Sequence, residues 1–585
     1  MPGNLTFNRK IKMLLAISTI ACTGLIVSHE PSLAQFSQVK KTFGGFYNPS
    51  SIDHAALAKF LESGRIGDMP MGQADEIRAF YASREGQPVW TGSGGSQKIK
   101  QFAAFIDNAR AHGLNPERYN SRQIADRVGE RDETLRAELE LFLSDAAIKY
   151  ARDMTGYHLG GQALRGEIAP LAPPVQARVI LQRIAESRNI QSIFADMEPK
   201  SATYKRLKEA LADLSKQDEA AYAKYLPLDF GGAVIKPGSR HKNIQGLRAR
   251  LGAAQQTTDP VLYDDALFAA LTKFQRAEGL KDDGIIGLDT LAALNRTNRD
   301  RILQLKVNME RLRWMEGQER PEKFIVVNIP AATLWAVNST GVEFEMQVIV
   351  GRPERATPAI VTDITGIRFN PDWTVPPTIK KEDILPKLRE DPWYLTNKGI
   401  ELTYRGEKGL ETLDPSAVDW ERVTNADLNV LNMVQVPGSA NPLGRVRVLM
   451  PNKYSIYLHD TNQKEYFDKY ARALSSGCIR MKEPLKVAEF IMSSDKGWDL
   501  AKITSIIAQG RTSDRLITNK IPVYILYYTV WIDDQGRVVF GRDIYGRDKT
   551  LADALEKVDG VSLASHNEVM TNNPRQKLAS LGEED

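Results

Sequence analysis

At 585 residues the chain is too long for one hydrophobic core and divides into roughly three or four domains. Its 42% apolar and 26% charged residues exclude a disordered or fibrous protein. The net charge of +4 comes from intermingled acids and bases, which excludes a nucleic-acid footprint, although a mildly basic surface tolerates an anionic polymer.

The N-terminus reads as an export signal over residues 1–34. Arg9, Lys10 and Lys12 precede an apolar run from Met13 to Val27, and Ser32-Leu33-Ala34 supplies a small-x-small cleavage site before Gln35. The run falls short of the ~20 residues of a spanning helix; left uncleaved, it would serve as an inner-membrane anchor. Thr19-Ile20-Ala21-Cys22 is a poor lipoprotein site, with Thr where Leu is usual and apolar residues continuing past Cys22. Export predicts the periplasm. The chain has two cysteines, Cys22 and Cys478, and cleavage leaves one thiol in a compartment that favours disulfides. A lone thiol there is either a buried hydrophobe-like residue or a reactive group.

After a loose stretch over 36–51, the periodicity over 52–235 is helical, with Leu139, Leu143, Ala146, Ala147 and Tyr150 on one face of a long helix over Leu135 to Met154. Ala169 to Pro174 breaks this scaffold, and His158 reads as a local structural residue. Pro237-Gly238 marks a linker. Over 240–297 three short helices follow, carrying Ile244, Leu247 and Leu251, then Leu267, Leu271 and Phe274, then Leu288, Leu291 and Leu294. Phe274-Gln275, Gly279-Leu280, Asp283-Gly284, Gly287 and Thr290 together resemble the peptidoglycan-binding module of wall hydrolases.

From 322 to 556 the period changes to two. Strands are expected at Phe324 to Ile329, Val342 to Val350, Val446 to Met450, Ile456 to Leu458 and Val523 to Trp531, with a hairpin turn at Asp533-Asp534-Gln535-Gly536. An insertion over 380–438 is charged, helical in places and long enough for a lid over a cleft. The tail over 560–585 is polar and expected to be disordered. The fold class is therefore multidomain α+β: a helical scaffold, a three-helix module and a β-rich domain with a lid insertion.

Chemistry concentrates in two segments, Tyr454-Ser455-Ile456-Tyr457-Leu458-His459-Asp460 and Ser475-Ser476-Gly477-Cys478-Ile479-Arg480. His459 ends a strand pattern and Cys478 follows a glycine in a turn, 478 − 459 = 19 residues later. A thiol attacks as thiolate, so it needs a base or cation nearby, and a histidine within reach serves as base and then as acid. The imidazole in turn needs a partner to fix its tautomer, and the carbonyl or carboxylate of Asp460 is nearest. Gly477 lets the backbone approach a substrate, and the Ser476, Gly477 and Cys478 amides are candidate oxyanion donors. A structural Cys–His pair is the alternative. With no HExxH and no Cys-x-x-Cys, neither metal nor cofactor is expected.

The His…Ser-x-Gly-Cys-Ile-Arg arrangement on a β-domain resembles the L,D-transpeptidases (YkuD-type catalytic domain). Cys478 matches the family's nucleophile, His459 its general base and Gly477 the glycine before the nucleophile; Ser476 stands where most members have His. That departure also occurs in the large branch with a helical scaffold and an internal peptidoglycan-binding module. Gly351 to Pro358, Asn370 to Pro377 and Asn441-Pro442-Leu443-Gly444 look like further family segments. The resemblance implies attack by Cys478 on a tetrapeptide donor stem, loss of D-alanine, and resolution of the thioester by a diaminopimelate acceptor to give a 3→3 cross-link. It also implies carbapenems as covalent inhibitors and other wall synthases as potential partners.

Arg480, Ser475, Ser476, Tyr457 and Trp373 are the candidate substrate-contacting residues; for Arg480 a structural ion pair, and for the two aromatics a place in the core, are the competing readings. Resolution by water (an L,D-carboxypeptidase), attack on an existing cross-link (an endopeptidase), attachment of a lipoprotein and a non-enzymatic wall-binding protein are the alternatives. A papain-like protease fits neither the β-rich context nor the order of His before Cys.

Overall fold

A computed structural model describes residues 52–92, 94–161, 164–216, 227–253, 258–317, 321–406 and 409–560. The export signal read at 1–34 and the tail beyond Gly560 lie outside these residues. The protein is multidomain α+β, with helical regions preceding a β-rich region.

In the first helical region the dominant element is α1 (Glu133–Met154), which starts at Asp132, whose carboxylate accepts the Leu135 N–H. The helix is buried almost all round. Its Glu140 is fully buried yet satisfied, because it accepts from the amides of Val89 (2.5 Å), Trp90 (3.0 Å) and Thr91 (2.8 Å) and from the Tyr81 hydroxyl (2.6 Å). His158 is buried and bonded through Nε2 to Asp559 at 2.8 Å, a structural role.

Three short helices follow: α2 (Ile244–Arg250), α3 (Asp265–Ala277) and α4 (Leu288–Leu294). They close over Ile244, Leu247, Leu267, Leu271 and Leu294. The cues Gln275 and Asp283-Gly284 meet here: Gly284, at φ +67°, donates its amide to Gln275 Oε1 (2.8 Å), while Gln275 Nε2 donates to the Ile285 carbonyl (3.0 Å). Helix α5 (Asn298–Arg313), begun by a Thr297/Asp300 capping box, then leads into the β-rich region.

The strands there are β1 (Phe324–Asn328), β2 (Thr333–Asn338), β3 (Gly341–Gly351), β4 (Ile360–Phe369), β5 (Trp373–Thr374), β6 (Ile400–Gly406) and β7 (Gly409–Leu413). Then come β8 (Leu431–Gln435), β9 (Val446–Leu449), β10 (Leu458–His459), β11 (Ala473–Ser475), β12 (Ile479–Met481) and β13 (Ser513–Leu526). Nine of them form a sheet in the order β11–β3–β12–β10–β9–β4–β13–β1–β2. Strand β2 also pairs with β3, so the sheet closes on itself around Ile325, Val327, Val348, Ile367, Val448, Leu458, Ile479 and Val523.

The insertion adds β6, β7 and β8 to the preceding β5 as a separate sheet, β5–β8–β6–β7, over a core of Val375, Leu388, Leu402, Trp420 and Met433. As expected it is helical in places, with a π-helical turn at Lys380–Ile384 and helices at Leu385–Glu390, Tyr394–Asn397 and Asn425–Val430; the sheet beside them was not expected.

Two expected strands differ. The one at Ile456 to Leu458 is only Leu458–His459, because the Asn452 side chain ties up the preceding loop: Nδ2 donates to the Ile456 carbonyl (2.7 Å) and Oδ1 accepts from Ile456 N (3.2 Å). The segment from Val523 to Trp531 breaks after Leu526, where the Tyr528 and Thr529 amides turn to Asn328 Oδ1 (3.0 Å) and Asn308 Oδ1 (2.9 Å).

Candidate active site

Strand β10 is two residues long and sits between β9, antiparallel, and β12, parallel. The register sets Arg447 opposite His459 and His459 opposite Arg480, so the imidazole is flanked by two arginines in one cross-sheet row. Leu458 and Ile479, the pair one step earlier, are fully buried and fix that register, since a slip of one residue would reverse the faces. The same pairing closes the loop between the two segments and brings Tyr457 beside Cys478.

The turn carrying Cys478 is held from inside. Ser475 Oγ donates to the Cys478 carbonyl (2.5 Å) and accepts from Gly477 N (3.1 Å). Gly477 has φ +116°, a backbone region that side chains disfavour. Its carbonyl accepts from Thr357 Oγ1 (2.7 Å), which itself accepts from Gly351 N (2.8 Å). A Cβ on Gly351 would overlap the Arg355 carbonyl, so Gly351 to Thr357 is the bed on which the turn lies.

Electrostatically the pair rests uncharged. Burial pushes the Cys478 thiol above its ordinary range, opposed by the Tyr457 backbone N–H, the fields of Arg447 and Arg480, and the Tyr457 hydroxyl. Sγ lies 3.9 Å from the Ser455 carbonyl, an acceptor suited to a protonated thiol. Burial, then Arg480, drives His459 down to about 3, with the Asp460 backbone offsetting part of that. His459 is 4% exposed, and its Nδ1 has no well-directed hydrogen bond among the described residues. Tyr457 is pushed up to about 12 by burial and then by Cys478. Its ring stacks under the Arg447 guanidinium at 4.0 Å and meets the His459 ring edge-on at 5.8 Å.

A cavity of about 1060 Å³ between the closed sheet and the insertion is lined by Trp373, Tyr457, His459, Ser475, Ser476, Gly477, Cys478 and Arg480. Of the sequence candidates only Asp460 is missing from it. Successive strand residues face opposite sides, and the Asp460 carboxylate points away to accept from Arg445 N (2.8 Å) and Thr461 N (2.7 Å) and to pair with Lys464. What approaches the imidazole is the Asp460 backbone. The Ser475 hydroxyl and the Gly477 amide are engaged with each other, whereas the Ser476 and Cys478 amides make no hydrogen bond among the described residues.

Arg480 has no carboxylate in ion-pair range among the described residues; it donates to Gln463 Oε1 (2.6 Å) and lies over the Tyr466 ring. Trp373, paired with Gln435, is a half-buried wall of the cavity. Sequence reasoning did not single out Arg447, Arg352 or Arg355. The last two belong to the family-like segment from Gly351 to Pro358, and that membership was the available signal. Among the described residues no group of three or more His, Cys, Asp or Glu could hold a metal ion.

Residues 322–517 match the family described as L,D-transpeptidase catalytic domain. They belong to that family. Ahead of this L,D-transpeptidase domain, residues 75–211 match a scaffold domain and residues 240–294 the family described as "putative peptidoglycan binding domain". A Haemophilus influenzae protein named "Putative L,D-transpeptidase" is 31% identical over 248 residues, which span 42% of this chain and 48% of that relative. A solved L,D-transpeptidase from Xylanimonas cellulosilytica aligns at 13% identity over 51% of this chain and 100% of its own, with a TM-score of 0.17. One from Stackebrandtia nassauensis gives 13%, 50%, 94% and 0.17 for the same quantities, and TM-scores of this size add nothing to the fold. Among the described residues no helix is long and apolar enough to cross a membrane.

Proposed function

We propose that the protein is an exported, periplasmic peptidoglycan L,D-transpeptidase that forms 3→3 cross-links through a thioester on Cys478. The observation that carries this reading is the placement of the lone thiol of the described residues beside Tyr457, in a cavity that His459 also lines, within a domain of the L,D-transpeptidase family.

In the proposed reaction the donor is a tetrapeptide stem. Its third-residue carbonyl sits near the free Ser476 and Cys478 amides, which act as oxyanion donors. His459 is neutral and takes the Cys478 proton as sulfur attacks. Collapse of the tetrahedral intermediate breaks the C–N bond, and D-alanine leaves carrying that proton. The side-chain amine of a diaminopimelate residue then attacks the thioester, and the thiol is restored as the new amide forms. The Tyr457 hydroxyl near the sulfur steadies it while it carries charge, with Arg447 and Arg480 adding a positive field. The peptidoglycan-binding match at 240–294 supports wall polymer as the partner.

Product analysis by mass spectrometry tests the reading. Incubation with disaccharide-tetrapeptide is expected to give a dimer lacking one D-alanine, and Cys478→Ala none. Tripeptide alone would make the enzyme an L,D-carboxypeptidase. Acylation of Cys478 by a carbapenem is also expected, seen as added intact mass that Cys478→Ala lacks.

A further inference from the structure

The cavity holds a charged cluster that the reaction above does not use. Arg352 and Arg355 leave the end of β3 and reach the Ser476 hydroxyl oxygen, to which Arg355 Nη1 donates at 3.1 Å and Arg352 Nη1 at 3.3 Å. On their other side stand two acids of the insertion, both in the π-helical turn Lys380–Ile384. Asp383 accepts from Arg355 through both oxygens, at 2.5 Å from Nη1 and 3.0 Å from Nη2, and Glu382 accepts from Nη2 at 2.6 Å. The Arg355 side chain is 8% exposed, that of Arg352 35%. Arg352 approaches Asp383 only to 3.7 Å and Glu354 only to 3.8 Å, beyond hydrogen-bond range, so part of its fork is open to the cavity.

We infer that Arg352 and Arg355 form the subsite for the free carboxylate at the end of the donor stem, and that Asp383 occupies this subsite in the unliganded enzyme as an internal stand-in. The inference rests on the tetrapeptide-donor reading. In such a donor the terminal carboxylate is only three bonds from the attacked carbonyl carbon, so its receptor must lie close to Sγ. Ser476 meets this, being two residues from Cys478, with Cα atoms at most ~7 Å apart. A guanidinium fork is the side chain matched to two carboxylate oxygens, and Asp383 already displays that two-point geometry. Arg480, the other cavity arginine near the thiol, is committed to Gln463. Two arginines face Glu382 and Asp383, with the exposed Glu354 at the edge, so no positive charge is spare; an incoming carboxylate would add an unpaired negative charge unless an acid withdraws. Binding therefore displaces Asp383 and with it the π-helical turn of the insertion.

The test is calorimetric titration of Cys478→Ala with the free tetrapeptide stem and with its C-terminal amide. The acid is expected to bind about tenfold or more tightly than the amide, the worth of a charge-assisted hydrogen bond. Arg352→Gln, at a partly exposed position, should erase most of that preference, and Asp383→Asn should tighten the acid while leaving the amide unchanged. Equal affinity for acid and amide, or an Asp383→Asn variant that weakens the acid, would overturn the inference while leaving the tetrapeptide donor in place. Failure of both ligands to bind would overturn the donor reading and the inference with it.

Discussion

His459 and Cys478 line one cavity, and the resting charge of each is set by its surroundings. Folding lowers the imidazole from 6.5 to about 3, so as pH falls the unfolded chain binds the proton first. The stability this residue contributes is full above pH 6.5 and is lost as pH falls towards about 3. Denaturant midpoints measured across that window should fall with pH, and His459→Gln should flatten the curve. In turnover, the acid limb of kcat/KM belongs well below 6.5 if His459 is the base as proposed, because it stays neutral through the usual histidine range; a limb near 6.5 would contradict the neutral pair. Both residues stood out in the sequence, the cysteine because the export reading leaves it alone and the histidine because a strand pattern ends on it. Arg447 was not, since it meets His459 only through strand pairing, and no spacing along the chain announces that neighbour.

At the scale of elements the site depends on glycines that make room. Gly444, at φ +61°, lies where a Cβ would overlap the Asp460 carboxylate, which in turn holds the Arg445 amide at the start of β9. Gly444→Ala should therefore lower the unfolding midpoint by the equivalent of ~1–3 kcal/mol from backbone strain and push Asp460, and β10 after it, away from β9. A midpoint within error of the parent would refute this. The periodicity of two located β1, β3, β9 and the last residues of β13, which alternate or run apolar as buried strands do, but not β2, β4, β11 or β12. It overextended β10, because Asn452 and a left-handed Ser455 (φ +54°) use side-chain bonds and backbone geometry that alternation does not report. The insertion's sheet was illegible for a related reason: its core is small and its strands short, so charged residues dominate the local pattern.

Across the whole molecule, helix α5 ties the first helical region to the segment that follows the L,D-transpeptidase match. Arg311, 2% exposed, donates to Glu167 Oε1 (2.8 Å) and to Asp548 Oδ1 (2.5 Å), while Gln304 Nε2 donates to the Thr529 (3.2 Å) and Gly541 (2.9 Å) carbonyls. Removing one partner of a buried ion pair strands the others, at a cost of ~3–5 kcal/mol. Scanning calorimetry of Arg311→Met should show a clearly lowered transition. Arg542–Asp289, at 2.8 Å between α4 and the segment after the L,D-transpeptidase match, is partly exposed, and Asp289→Asn should change little. The order of regions was readable because each has its own periodicity and turn residues. The bonds between them were not, since they join residues far apart in sequence, such as 311 with 548.

The most direct test of the central claim is peptide-level mass spectrometry of protein trapped during turnover of disaccharide-tetrapeptide. The prediction is a disaccharide-tripeptide acyl group on the peptide containing Cys478, lost on adding acceptor stem and absent from Cys478→Ala. An acyl group on another residue, or cross-linked product made by Cys478→Ala, would contradict it.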